Sequence, residues 1–230
     1  MNWNEFFGIL CIATFLLPIT VIIYYRFYKH RSLTALLVYY ILTILYNMMY
    51  LQLLPLPDGF RSAFGMITNY LDAPLMMTAL LFFCPNKQKQ TKVYLLGATF
   101  IVYEAVITIA FGFKPIAVVY ILGPGIVLIL AYAGFLFVRQ VKFTIIHGKN
   151  TGRTLMLASI LFVYACYSLI YYFFYIQKTK FIGDTYLLYF LASIFSSILM
   201  CIGLVLANKR LKKLDDLKIT RKELHLFFNS

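Results

Sequence analysis

Along most of its length the chain alternates between long apolar runs and short polar connections. Seven runs stand out, over about 6–25, 33–54, 63–84, 93–112, 116–138, 154–177 and 185–207. Each is close to the ~20 residues that carry an α-helix across a bilayer. The runs are continuous, without the apolar–polar alternation of membrane β-strands. A helix satisfies its own backbone donors and acceptors, as a lipid-embedded span must. The pattern predicts an all-α membrane protein, a seven-transmembrane-helix bundle.

The breaks are marked by residues that interrupt helices. Pro55, Pro57 and Gly59 end the second run, and Lys114-Pro115 makes the fourth connection so tight that spans four and five must be neighbours. Pro18, Pro74 and Pro124 interrupt spans one, three and five, and no division into halves pairs them as a transporter repeat would. One domain is expected. No Lys or Arg precedes the first run, so it is expected to stay in the membrane and not to be cleaved as a signal peptide. The one GxxxG spacing, Gly148 to Gly152, falls in a connection and gives little sign of close helix crossing.

Composition agrees with this pattern. The 230 residues are 62% hydrophobic and 13% charged, against roughly 45–50% apolar and ~25% charged in a soluble domain. The net charge is +13, but the cations lie in the connections, which argues against nucleic acid. One set of connections and the tail hold 17 Lys and Arg, from Arg26 to Lys222; the other holds four, Arg61, Lys114, Lys178 and Lys180. That asymmetry predicts the N-terminus outside and the C-terminus cytoplasmic, in a plasma or inner membrane. Residues 208–230 place Leu211, Leu214, Leu217, Ile219 and Leu224 among seven cations, the pattern of a cationic amphipathic helix. Its expected partner is the anionic inner leaflet, with a cytoplasmic protein as the sharper alternative.

Two carboxylates inside spans carry the chemistry. Asp72 and Glu104 lie at bilayer depth, where a charge is costly and usually functional. Counting residues puts Asp72 roughly 13 Å and Glu104 roughly 12 Å below the outer surface, at 1.5 Å per residue. Asn47 lies at a comparable level, and Asn69 one turn outside Asp72 on the same face. Tyr167 and Tyr171 stand one turn apart on span six, and Ser193, Ser196 and Ser197 mark span seven. Gly123-Pro124-Gly125 breaks span five at the same height, as a packing kink or a pocket wall. Arg61 is a candidate for the pocket mouth. Tyr39, Tyr40, Tyr46 and Tyr164 are deep enough to line a cavity. Tyr24, Tyr25, Tyr28, Tyr175 and Tyr186 fall at span ends and read as interfacial belt.

Other chemistries lack their residues. His30, His147 and His225 all fall outside the spans, which excludes membrane zinc hydrolases of the His/Asp type and most Ser-His chemistry. No metal or cofactor is expected. Cys11, Cys84, Cys166 and Cys201 form no CxxC pair and read as small apolar residues.

The stretch Asn69-Tyr70-Leu71-Asp72-Ala73-Pro74-Leu75-Met76 resembles the third helix of the microbial rhodopsins, where a polar or acidic residue shortly precedes a Pro-Leu pair. The stretch from Asp184-Thr185-Tyr186-Leu187-Leu188 through Gly203 resembles their seventh helix in length and placement. The position of the retinal-bearing lysine holds Ser196 or Ser197, and Ala192 stands where an acidic counter-ion is expected. The resemblance thus implies a rhodopsin-like bundle with a central pocket, without covalent retinal and without light-driven pumping.

Three functions remain in view. The first is a receptor-like or binding protein with an outer-half polar-aromatic pocket for a small or lipophilic ligand, built on Asp72, Glu104, Asn47, Asn69, Tyr167 and Ser196. The second is a proton-coupled transporter or channel. The third is a lipid-modifying enzyme using the two carboxylates as acid and base.

Overall fold

The structure, a computed structural model, describes residues 3–84, 86–147, 150–177 and 182–228; of Lys89, His147, residues 182–185 and residues 212–228 only the backbone is described. Seven helices follow in order: α1 (Trp3–Tyr24), α2 (Arg31–Tyr50), α3 (Asp58–Leu80), α4 (Lys87–Phe111), α5 (Pro115–His147), α6 (Thr151–Tyr171) and α7 (Ile182–Phe228). No strand occurs among the described residues. All seven helices are long and apolar enough to cross a membrane, so the chain is a multi-pass membrane protein. The connections put the start of α1, the α2–α3 turn and the α4–α5 turn at one face, here the amino face. The ends of α1, α3, α5 and α7 point to the other, the tail face.

The helix ends differ from the hydropathy runs where local chemistry decides. Helix α2 stops at Tyr50, four residues before its apolar run ends, and Gln52 turns into the left-handed region at φ 57°. Pro55 and Pro57 bias the residues before them away from helical geometry, so the last apolar residues of that run form a turn. Helix α5 continues past 138 to His147, with 33 residues. That length is about 50 Å, well beyond a ~30 Å hydrocarbon core, so the basic stretch from Arg139 onward prolongs the helix out of the apolar layer. Helix α7 runs unbroken for 47 residues into the tail. The side chains of Leu214, Leu217, Ile219 and Leu224, expected to form an amphipathic face, lie outside the described residues.

Helices α1, α2, α3, α5, α6 and α7 pack as a closed ring, each against the next, with α3 touching α5 directly. Helix α4 packs mainly on α3 and α5 from outside that ring. Its outer side is apolar and bare, with Ile109 at 85% exposure, as lipid contact requires.

The tail-facing half is close-packed. Leu80, Met156, Leu157 and Leu204 are fully enclosed. Helices α6 and α7 meet backbone to backbone: a Cβ on Gly152 would lie 2.5 Å from the Ala207 amide nitrogen, and one on Gly203 would lie 2.9 Å from the Gly152 carbonyl oxygen. Gly152 occupies the first turn of α6, not a loop. Small residues allow this approach and gain dispersion contact where lipid offers no hydrophobic drive.

Candidate functional site: a tyrosine-lined cavity

The amino-facing half holds a cavity of about 240 Å³ between α2, α3, α5, α6 and α7. It extends to Tyr50 and Tyr186, at the helix ends of the amino face. Eight tyrosines line it: Tyr39, Tyr46, Tyr50, Tyr167, Tyr171, Tyr175, Tyr186 and Tyr189. Asn47, Asn69 and Asp72 supply the other strongly polar groups, and Leu122, Ile126, Ile170, Phe174 and Phe190 the apolar ones.

Helical periodicity builds this wall. Tyr46 and Tyr50 are one turn apart on α2, and Tyr167 and Tyr171 one turn apart on α6. A π-turn over Tyr172–Ile176 follows, closed by the Gln177 amide donating to the Tyr172 carbonyl at 2.9 Å. Such wide turns re-aim side chains and recur at functional sites. Here Tyr175 stays against Tyr171, with ring centroids 5.3 Å apart. Tyr175 and Tyr186, expected in the interfacial belt, are cavity walls. Depth alone does not distinguish a belt tyrosine from one that faces inward. Tyr24, by contrast, is exposed on the flank.

Asp72 is the carboxylate of the cavity. Its Oδ1 accepts a hydrogen bond from the Tyr164 hydroxyl at 2.9 Å, and Tyr164 is wholly enclosed. Among the described residues no hydrogen bond reaches Oδ2, and Asp72 is one of the residues lining the cavity. Asn47 is fixed from two sides, with Nδ2 donating to the Thr43 carbonyl at 2.8 Å and to the Tyr189 hydroxyl at 3.0 Å. Tyr167 stacks on Tyr189 at 5.6 Å, and its hydroxyl lies 3.2 Å from Ser193 Oγ. Tyr167 and Tyr189 are thus held by hydrogen bonds at their hydroxyls, and both line the cavity.

The remaining sequence candidates fall elsewhere. Glu104 is buried on α4 and is not among the lining residues; its Oε1 has no hydrogen-bond partner. It lies within electrostatic reach of Asp72, and beside it Thr108 donates to the Tyr70 hydroxyl at 3.0 Å, tying α4 to α3. Ser196 sits deeper, paired with Ser159 at 2.9 Å between α6 and α7. Arg61 is engaged by Asp58 on its own helix and does not line the cavity. Tyr164, the anchor of Asp72, carries a role that no local motif marked.

The Gly-Pro-Gly break has a direct structural use. Proline at 124 cannot donate to the carbonyl one turn earlier, Tyr120. The Tyr103 hydroxyl of α4 takes that place, donating to the Tyr120 carbonyl at 2.9 Å. A Cβ on Gly123 would lie 2.6 Å from the Tyr171 hydroxyl, which donates to the Val119 carbonyl at 3.0 Å. A Cβ on Gly125 would lie 3.2 Å from that of Ala73. The break therefore seats a cavity tyrosine and draws α5 against α3.

Fold and site together define a class: a seven-helix, multi-pass membrane protein with a polar-aromatic cavity in one half of the bundle. No protein family, curated protein or solved structure is found to match this chain.

Proposed function

We propose that the protein is a receptor-like or binding protein of the plasma or inner membrane, holding a small non-covalent ligand in the tyrosine-lined cavity. The observation that carries this reading is Asp72: a carboxylate at membrane depth, anchored by the Tyr164 hydroxyl through one oxygen and lining preformed space. A charged group in that position is costly and is usually retained for use. Concave, largely apolar sites with a few fixed polar groups are the usual form of small-molecule sites. The 17-to-4 distribution of cations supports the amino face outside and the tail in the cytoplasm, so the ligand would enter from outside. The basic tail would then meet the anionic inner leaflet or a cytoplasmic partner. The enclosed apolar layer of Leu80, Met156, Leu157 and Leu204 favours binding over passage.

The test is native mass spectrometry of the protein purified from its own membranes, beside Leu122→Trp, which fills the cavity, and Ile109→Trp, which faces lipid. The expected result is a bound small molecule on wild type and Ile109→Trp that is absent from Leu122→Trp. Equal adducts on all three, or none on any, would contradict the reading.

A further inference from the structure

We infer that the ligand is an organic cation, a small ammonium whose charged head sits between Asp72 and the tyrosine faces. This rests on the cavity being a binding site, and it names what that site selects. Three features converge on it.

The first is charge. Among the described residues, Asp72 is the only carboxylate lining the cavity, and no Lys, Arg or His lines it. Arg61, on the first turns of α3, is already engaged by Asp58. Glu104, on α4, lies within electrostatic reach of Asp72. An anionic guest would meet the Asp72 carboxylate with no cation among the described lining residues to offset it. A neutral guest without a donor would leave Asp72 Oδ2 unpaired in a low-dielectric setting, where an unpaired polar group is costly.

The second is the aromatic wall. Tyr167 and Tyr189 are stacked at 5.6 Å with only 19° between their planes. A cation within about 6 Å of a ring centroid is attracted by the ring quadrupole, more strongly once desolvated, and aromatic cages recognise quaternary ammonium groups in this way. Eight tyrosines and one carboxylate line the same space, bringing aromatic rings and counter-charge together.

The third is size and polarity. The volume of about 240 Å³ falls just under the ~300–1,000 Å³ of sites for drug-sized ligands. It suits a guest of roughly a dozen non-hydrogen atoms, by comparison with that range. Leu122, Ile126 and Phe190 line the same space and suit an apolar body carrying the cationic head.

The experiment uses three probes of one shape and three charges: phenethylamine, 2-phenylethanol and 3-phenylpropionate. Each is titrated against the purified protein in dodecyl maltoside, which has no ammonium headgroup, and read by saturation-transfer-difference NMR. Phenethylamine is expected to bind about ten-fold tighter or better than 2-phenylethanol, with 3-phenylpropionate weakest, the gain of a desolvated cation–carboxylate–π contact. In Asp72→Asn, phenethylamine should fall to the level of 2-phenylethanol while 2-phenylethanol stays unchanged. Tyr167→Phe keeps the ring face and should keep the preference; Tyr167→Leu should weaken it. If wild type binds 2-phenylethanol or 3-phenylpropionate as tightly as phenethylamine, the cation assignment is overturned and the cavity reading survives. If no probe binds wild type, and Leu122→Trp gives the same blank, both are overturned. The wild-type ratio decides the assignment even if a variant does not fold.

Discussion

The two halves of the bundle are built from the same helices and pack in opposite ways. Toward the tail face, α6 and α7 touch through Gly152, Gly203 and Ala207, and the core is filled by enclosed Leu and Met side chains. Toward the amino face the same two helices carry tyrosines that line a cavity of about 240 Å³. Residue size along a helix sets how close its neighbour can come. Small residues bring the pair into backbone contact at one end, and tyrosine rings line the cavity at the other. The dense end supplies stability; the open end holds polar groups facing free space.

Substitutions test that contrast, from the largest effect to the smallest. Gly152→Leu places a side chain where backbone already lies at 2.5 Å. It should cost about 3 kcal/mol or prevent folding, as overpacking does at its upper end, seen as a lost or strongly lowered thermal transition in detergent. Leu157→Ala, in the sealed half, should cost about 3 kcal/mol through lost contact and a residual void. Leu122→Ala, facing the cavity, should cost clearly less in the same assay. If the two alanine variants unfold alike, the halves are not packed differently.

Hydrogen bonds sharpen the comparison. Tyr103→Phe removes the hydroxyl that serves the Tyr120 carbonyl, which Pro124 leaves without a helical donor. With no water in the bilayer core to replace it, the loss should be about 1–3 kcal/mol. Tyr171→Phe removes a bond to the Val119 carbonyl, whose helical partner, the Gly123 amide, remains. It should cost about 0.5–1 kcal/mol. Equal losses would show that the proline-freed carbonyl finds another partner.

Most of the fold is legible in the sequence because a lipid-spanning helix has one strong signal, the length of its apolar run. Helix ends are legible where proline acts, as at Pro55, once its effect on preceding residues is weighed. The extension of α5 past 138 is not, because Arg139 and Lys142 end an apolar run without ending a helix. The site is legible in height but not in azimuth. Residue counting gives Asp72 and Glu104 similar depths, yet depth along an axis says nothing about which side of the bundle a helix occupies. Asp72 lies on a ring helix and faces the cavity; Glu104 lies on α4, outside the ring. The same gap explains Tyr175 and Tyr186, placed by depth in a belt and by direction in the cavity. Tyr164 could be reached only through its partner in space, 92 residues away in sequence.

The account turns on one half being open and the other closed. The most direct measurement is cysteine accessibility in a background with Cys11, Cys84, Cys166 and Cys201 replaced. Asn69→Cys places a thiol in the cavity, and Ser196→Cys places one in the paired, buried Ser159–Ser196 contact. A small water-soluble methanethiosulfonate is applied to intact cells and the modification read by mass spectrometry. The prediction is rapid labelling at 69, slowed by a bound ligand, and no labelling at 196. Equal labelling at both sites, or labelling at 196 alone, would contradict it.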